Sequence, residues 1–422
     1  MLTVSKGTFA RRDLLKGAAG MSLVAAAPVH ARAPRPSHFP TVQKVVDGVI
    51  AEPAAPGAIA AIGLIGAPTT FVNAGTLALN NPHRVDQHTL FRIYSMTKPI
   101  IGMAVMLLIA EGRMKLDQPV ADFLPAFANL RVLTDPSGGL DSRPASTVMT
   151  IRHLLTHTAG LGSSPVAPAL ETEYKRLGLT QNLRNRSQSS ERAATAQGLA
   201  EFAERLASAP LLAEPGQVWS YSVSFDLLGR IIELAGGMPL EQFLARRFFD
   251  PLRMASTYFT VPPTQKARLV TSYTGRGAQF APIDPGASSI FLDKPAFPSG
   301  GGGLISSAHD YDRFLAMLVN HGTLDGATIL PPSAVATGTS NLLPPGVNMR
   351  RYAGIPGVVG FGAGGCIAEY GGYKGMFGWL GAAGTIGVIV PGQQLRLTGL
   401  LNNFTVFSFA LSLPNAVHSD LT

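Results

Sequence analysis

Short apolar runs lie near both ends of the chain, and longer helical patterns fill the middle. Residues 57–66 and 69–74 form two brief apolar runs separated by Ala67-Pro68, the pattern of a β-hairpin. Residues 375–380, 384–390 and 395–401 give three more, with Pro391-Gly392 as a turn between the last two. Neither region holds a long helical pattern to serve as a crossover, so antiparallel pairing is expected. Between them, residues 96–111 read as a helix, with Pro99 tolerated in its first turn and Gly112 as its stop. Helical spacing recurs over 197–207, 225–235, 240–248 and 309–319. Residues 162–195 are polar and irregular, with Lys175, Arg176, Arg184, Arg186 and Arg192, and read as a solvated loop. A sheet built from both ends of the chain, with a helical section between, leaves a cleft between the two parts as the natural place for a site. No internal repeat is present.

The first 33 residues follow a different pattern. Residues 1–16 are polar and basic and contain Arg11-Arg12, residues 17–27 carry no charge, and Ala31-Arg32-Ala33 closes the segment. This is the layout of an export signal, and the paired arginines resemble the twin-arginine type. The uncharged run is too short for a bilayer, which needs about 20 residues. The mature chain is expected to start near Pro34 and to work outside the cytoplasm, in the periplasm or secreted. No other segment reaches transmembrane length without a break.

Charge and cysteine content narrow the chemistry. The formal charge is +8. Five basic residues and one acid fall in residues 1–33, which leaves 29 basic against 25 acidic residues for the remainder. That excess is too dilute for a nucleic-acid footprint. Cys366 is the only cysteine, so no disulfide can form within the chain, and it reads as a small buried hydrophobe. These patterns leave the oligomeric state open.

Three stretches carry candidate chemistry. Ser95-Met96-Thr97-Lys98 follows a mostly apolar run and opens a helix, where free backbone N–H groups can stabilise developing negative charge. The i to i+3 spacing puts Ser95 and Lys98 on one face, and a serine nucleophile needs such a neighbouring base. Tyr221 sits between the Pro215-Gly216 turn and the next helix, where its hydroxyl can relay a proton. Residues 377–385 are dense in glycine, which lets a ligand or another backbone come close to a strand.

In this order and spacing, the three stretches resemble the serine β-lactamase and penicillin-recognising enzyme superfamily. The likeness is greatest to class C β-lactamases and their family VIII carboxylesterase relatives. Residues 90–98, 115–125, 150–161 and 299–307 extend the resemblance, which spans about residues 40–402. It implies an α+β fold: an antiparallel sheet flanked by helices, from about 34–115 and 290–422, with an inserted all-helical domain at about 116–289. It implies that Ser95 is acylated, that Lys98 holds and transfers its proton, and that Tyr221 is the shared base and acid. The backbone N–H groups of Ser95 and Ala382 would form the oxyanion hole. No metal or cofactor is implied.

Two departures bear on the substrate. Val223 stands where the β-lactamases carry the asparagine of Tyr-x-Asn, and Trp379-Leu380-Gly381 stands where they carry Lys-Thr-Gly. Both remove polar anchors for an anionic peptide-like substrate, and Trp379 is expected to offer an apolar wall. With Val223, Trp379 and Gly381 as substrate-binding positions, an ester hydrolase or acyltransferase for small, fairly apolar substrates is the leading expectation. A weak β-lactamase or D-amino-acid peptidase, an amide hydrolase for short oligomers, and a non-catalytic relative that binds cell-wall fragments or lipids are the alternatives. The intact Ser95, Lys98 and Tyr221 argue against the last.

Other motifs lead elsewhere or nowhere. His153 and His157 have the spacing of a helical zinc site, but Leu154 replaces its glutamate. The run 300–303 is not followed by Gly-Lys-Ser/Thr and reads as a tight turn near the cleft, not a phosphate cradle. The G-x-S-x-G signature of α/β-hydrolases is absent.

Overall fold

In the computed structural model, residues 38–52, 54–162, 166–180, 183–185, 194–221, 223–349 and 355–422 are described. The expected export segment lies outside them, as do parts of the loop expected at 162–195. Strands from residues 57–84 and 358–400 meet in one sheet. Among the described residues its strands are β1 (Gly57–Leu64), β2 (Thr70–Ala78), β3 (Asn81–Arg84), β4 (Val358–Phe361), β5 (Cys366–Tyr370), β6 (Tyr373–Gly381), β7 (Thr385–Val390) and β8 (Leu395–Leu400). Their order is β4-β5-β6-β7-β8-β1-β2-β3, and every neighbouring pair is antiparallel. β1 and β8 close the sheet across the length of the chain, in a register running from Ile59 opposite Leu400 to Leu64 opposite Leu395.

Side chains of a strand alternate between the faces of its sheet. In β1, Ala58, Ala60 and Ile62 enter the hydrophobic cluster on one face, and Ile59 and Ala61 enter the cluster on the other. Both faces are therefore covered, which explains why β1 reads as an unbroken apolar run. Helices α1 (Pro40–Ala51) and α5 (Phe407–Leu421) cover the first face with Val42, Val46, Phe409, Leu413 and Val417. The Asp420 carboxylate, near the end of α5, accepts from Thr41 N at 2.9 Å and Val42 N at 3.0 Å, so an acid sits at the positive start of α1.

The second face carries α2 (Thr97–Ala110), α3 (Ser224–Gly236) and α4 (Ala308–Val319) in one cluster with Phe377, Ile389 and Leu400. Residues Thr97 to Leu108 of α2 are all buried. A helix apolar all round belongs in an interior, and α2 lies between the sheet and the helical section. The expected helices form close to their predicted bounds; that at 240–248 runs as Leu240–Leu244 and widens into a π turn at Ala245–Phe249. The all-helical character expected for about 116–289 is corrected: helices alternate there with irregular segments and with two short ladders, Arg131–Leu133 with Ser142–Pro144 and Ser272–Thr274 with Ala281–Asp284.

Candidate active site

Ser95 stands at a corner. The two-residue strand Phe91–Arg92 pairs with Ile305–Ser306 and is pinned by the fully buried Arg92. The Arg92 guanidinium forms an ion pair with Asp284, its Nε lying 2.8 Å from Oδ2, and donates to Val270 O at 2.7 Å and Ser289 Oγ at 2.9 Å. Tyr94 then adopts φ +43°, uncommon for a bulky residue, and so swings the chain from the strand into the 3-10 turn Tyr94–Met96 and α2. Its ring is held edge-on by Phe291 and Phe404, with centroids 6.4 and 5.1 Å away.

Two side chains converge on the Ser95 hydroxyl. Lys98, 3% exposed, donates from Nζ to Ser95 Oγ at 3.1 Å and to the carbonyl oxygen of Gly301. The Tyr221 hydroxyl hydrogen-bonds to Ser95 Oγ at 2.6 Å and accepts from Trp379 Nε1 at 3.2 Å. Lys98 Nζ lies 4.5 Å from the centroid of the Tyr221 ring, a cation–π contact. The segment before Tyr221 is tied to the 150–161 stretch by Gly216 N to Thr158 O (2.7 Å) and Ser220 N to His157 O (2.8 Å). His157 is fully buried against the Tyr221 ring at 4.7 Å. Burial, and secondarily the Lys98 charge, hold its imidazole well below the usual histidine range, so it is neutral.

The remaining expected site residues fall into two groups. Ala382 and Val223 line a cavity of about 510 Å³ together with Ser95 and Lys98. Gly381 and Trp379 do not line it. A Cβ at Gly381 would collide with Ile93 O and Thr385 Oγ1, so glycine there lets the end of β6 lie directly on the backbone that leads to Ser95. Trp379 is only 2% exposed and stacks on Tyr221 at 5.8 Å with its N–H spent on the tyrosine oxygen. The apolar substrate wall expected from Trp379 is therefore corrected: its indole backs the tyrosine.

Sequence reasoning missed Asp226 and a second cavity. Asp226, in the first turn of α3, lines the Ser95 cavity, and its Oδ1 accepts from Ser299 Oγ at 2.6 Å and Gly301 N at 3.1 Å. No motif marks it; only its place five residues after Tyr221, at the start of the helix that follows, is a clue. The second cavity, about 710 Å³, shares Leu183, Phe297 and Ser299 with the first and is walled further by Phe259 and Phe291. The two histidines with zinc-like spacing are spent structurally: His153 accepts from Thr150 N at 3.2 Å and His157 packs under Tyr221. Among the described residues, no group of three His, Cys, Asp or Glu is placed to hold a metal. Cys366 is buried, which pushes its thiol up to about 12.

Residues 42–417 match the Beta-lactamase family. The chain belongs to that family. Among its beta-lactamase-family relatives is Esterase EstB of Burkholderia gladioli, 36% identical over 259 residues, 58% of this chain and 60% of that one. Acyltransferase calJ of Penicillium decumbens is 32% identical over 345 residues, 76% of each chain. A solved structure described as "EstCE1, a hydrolase with promiscuous acyltransferase activity" superposes with TM-score 0.74 at 27% identity, over 90% of this chain and 98% of that one. The antiparallel sheet flanked by helices is thus the beta-lactamase-family fold, and the chain stands beside the esterase-like members of the family.

Proposed function

We propose that the protein is an exported serine hydrolase or acyltransferase that cleaves neutral, fairly apolar carboxylic esters through an acyl-enzyme on Ser95. The observation that carries this reading is the convergence of Lys98 Nζ and the Tyr221 hydroxyl on Ser95 Oγ, at 3.1 and 2.6 Å. A serine hydroxyl attacks a carbonyl only when its proton has an acceptor. In this mechanism the Tyr221 hydroxyl first passes its own proton to Lys98, and the tyrosine oxygen then takes the Ser95 proton as the Ser95 Oγ–carbon bond forms. The negative charge that Tyr221 carries between these two transfers is stabilised by the Lys98 ammonium so formed and by the Trp379 N–H at 3.2 Å. The carbonyl oxygen becomes an oxyanion facing the Ser95 and Ala382 N–H groups. The proton passes to the departing alkoxide, the acyl group stays on Ser95, and water or a second alcohol releases it with Tyr221 again serving as base.

Two residues support a neutral, apolar substrate. Val223 offers no hydrogen bond, and Trp379 has committed its N–H to Tyr221, so two anchors that a β-lactam or peptide would use have been replaced. The named activities of the esterase and acyltransferase relatives support the same choice. Hydrolysis of p-nitrophenyl butyrate and of a chromogenic cephalosporin, by the protein and by Ser95→Ala, tests it. Ester turnover that vanishes in Ser95→Ala, with little cephalosporin turnover, is expected; fast cephalosporin turnover would transfer the protein to the β-lactamase reading. The export part rests on Arg11-Arg12, the uncharged run 17–27 and Ala31-Arg32-Ala33. Cell fractionation should find a form beginning near Pro34 outside the cytoplasm, lost when both arginines become lysine; an uncut cytoplasmic protein would refute it.

A further inference from the structure

Lys98 is not held by its own helix alone. Its Nζ donates to the carbonyl oxygen of Gly301, which lies in a turn and not on a helix or strand. That turn is fastened to α3 by one carboxylate, because Asp226 Oδ1 receives both the Ser299 hydroxyl at 2.6 Å and the Gly301 N–H at 3.1 Å. The approach requires glycine. A Cβ at Gly301 would come within 2.9 Å of Asp226 Oδ2, and one at Gly300 would strike the Phe225 carbonyl. Asp226 is 7% exposed, and a buried carboxylate is tolerated only when hydrogen-bonded. Burial pushes its carboxyl up, while the Ser299 and Gly301 bonds and the Lys98 charge pull it down, with burial the largest influence.

The start of α3 thus reaches Lys98 from two sides. Tyr221, just before the helix, lays its ring against the amine, and Asp226, in the first turn, grips the residue whose carbonyl accepts a hydrogen bond from the amine. We propose that Asp226 is a positioning residue for catalysis: through Ser299 and Gly301 it fixes the carbonyl that holds Lys98 in line with Ser95 Oγ. This rests on the reading above that Lys98 and Tyr221 activate Ser95. Loss of the clamp then leaves substrate binding in place and slows acylation and release of the acyl group alike, because a misplacement of about 1 Å in a catalytic group costs roughly 10²-fold in rate.

The test compares wild type, Asp226→Ala, Asp226→Asn and Ser299→Ala. It reads kcat and KM on p-nitrophenyl butyrate, the rate of Ser95 labelling by a fluorophosphonate, and the thermal midpoint. Asp226→Ala is expected to lower kcat and the labelling rate about 10²-fold with KM within about twofold. Asp226→Asn keeps an Oδ1 acceptor for both donors and should recover most of that loss. Ser299→Ala, which removes one of the two bonds, should fall between, and with the asparagine variant it decides the matter if Asp226→Ala does not fold. A folded Asp226→Ala with kcat within threefold of wild type would overturn the proposal, as would losses that follow the thermal midpoint with no rescue by asparagine. Wild type that is not labelled at Ser95 would instead overturn the acyl-enzyme reading itself.

Discussion

Removing one oxygen isolates what Tyr221 does. In Tyr221→Phe the ring keeps its contacts with His157, Trp219 and Trp379, at 4.7, 5.9 and 5.8 Å between centroids. What disappears is the 2.6 Å hydrogen bond to Ser95 Oγ and the acceptor for Trp379 Nε1. Tyr221 is 37% exposed, so the lost bonds should cost no more than about 1 kcal/mol in stability. Its catalytic cost should be far larger. Positioned acid–base groups contribute about 10²–10⁴-fold, or roughly 3–5 kcal/mol on the barrier. The assay is kcat/KM on p-nitrophenyl butyrate beside the thermal midpoint of the same preparation. A fall of at least about 10²-fold with an almost unchanged midpoint is expected. A variant within about threefold of wild type would show that Lys98 alone takes the proton, and the mechanism drawn from the geometry would be wrong.

Other perturbations separate the frame from the chemistry. Gly381→Ala should lower kcat by about 10²–10³-fold, the usual loss for an oxyanion donor, because its methyl group would push β6 away from Ile93 and carry Ala382 with it; kcat near wild type would remove β6 from the oxyanion hole. Asp284→Ala leaves the buried Arg92 without its carboxylate and should cost about 3–5 kcal/mol in denaturant unfolding, whereas a cost under about 1 would mean that the other Arg92 partners suffice. His157 gives a pH signature. An unfolded histidine takes a proton below about pH 6.5, but burial holds folded His157 well under that, so stability must fall as the pH drops below 6.5, by up to about 1.4 kcal/mol per unit. His157→Asn, suited to the φ of +56° there, should flatten that slope between about pH 6.5 and 5 in thermal unfolding; an unchanged slope would place the acid sensitivity elsewhere.

Much of this was legible in the chain because local and tertiary demands coincide. The helix after Ser95 announces itself by Pro99 in its first turn and Gly112 at its end, and β1, β2 and β6–β8 by apolar runs between turn residues. The pairing of β1 with β8 could be anticipated as a sheet drawn from both ends, though not its register. β4 and β5 carried no such signal, being short and broken by glycines such as Gly360 and Gly364-Gly365. α5 was hidden by Pro414, which sits inside the helix and reads locally as a breaker. In the site, Ser95, Lys98 and Tyr221 stood out because fixed spacing marks them. Asp226 did not, because its partners Ser299 and Gly301 lie more than seventy positions away. Trp379 was legible as a residue and misread as a surface: composition says apolar, and only the fold shows the indole turned behind Tyr221.

The central claim is that Ser95 carries the acyl group. It is tested most directly by quenching the protein during turnover of an excess of p-nitrophenyl butyrate and weighing it intact, then mapping the adduct by peptide. The account predicts a butyryl adduct on Ser95, absent from Ser95→Ala and slow to form in Tyr221→Phe. Ester turnover with no adduct on Ser95, or with the acyl group on another residue, would contradict it.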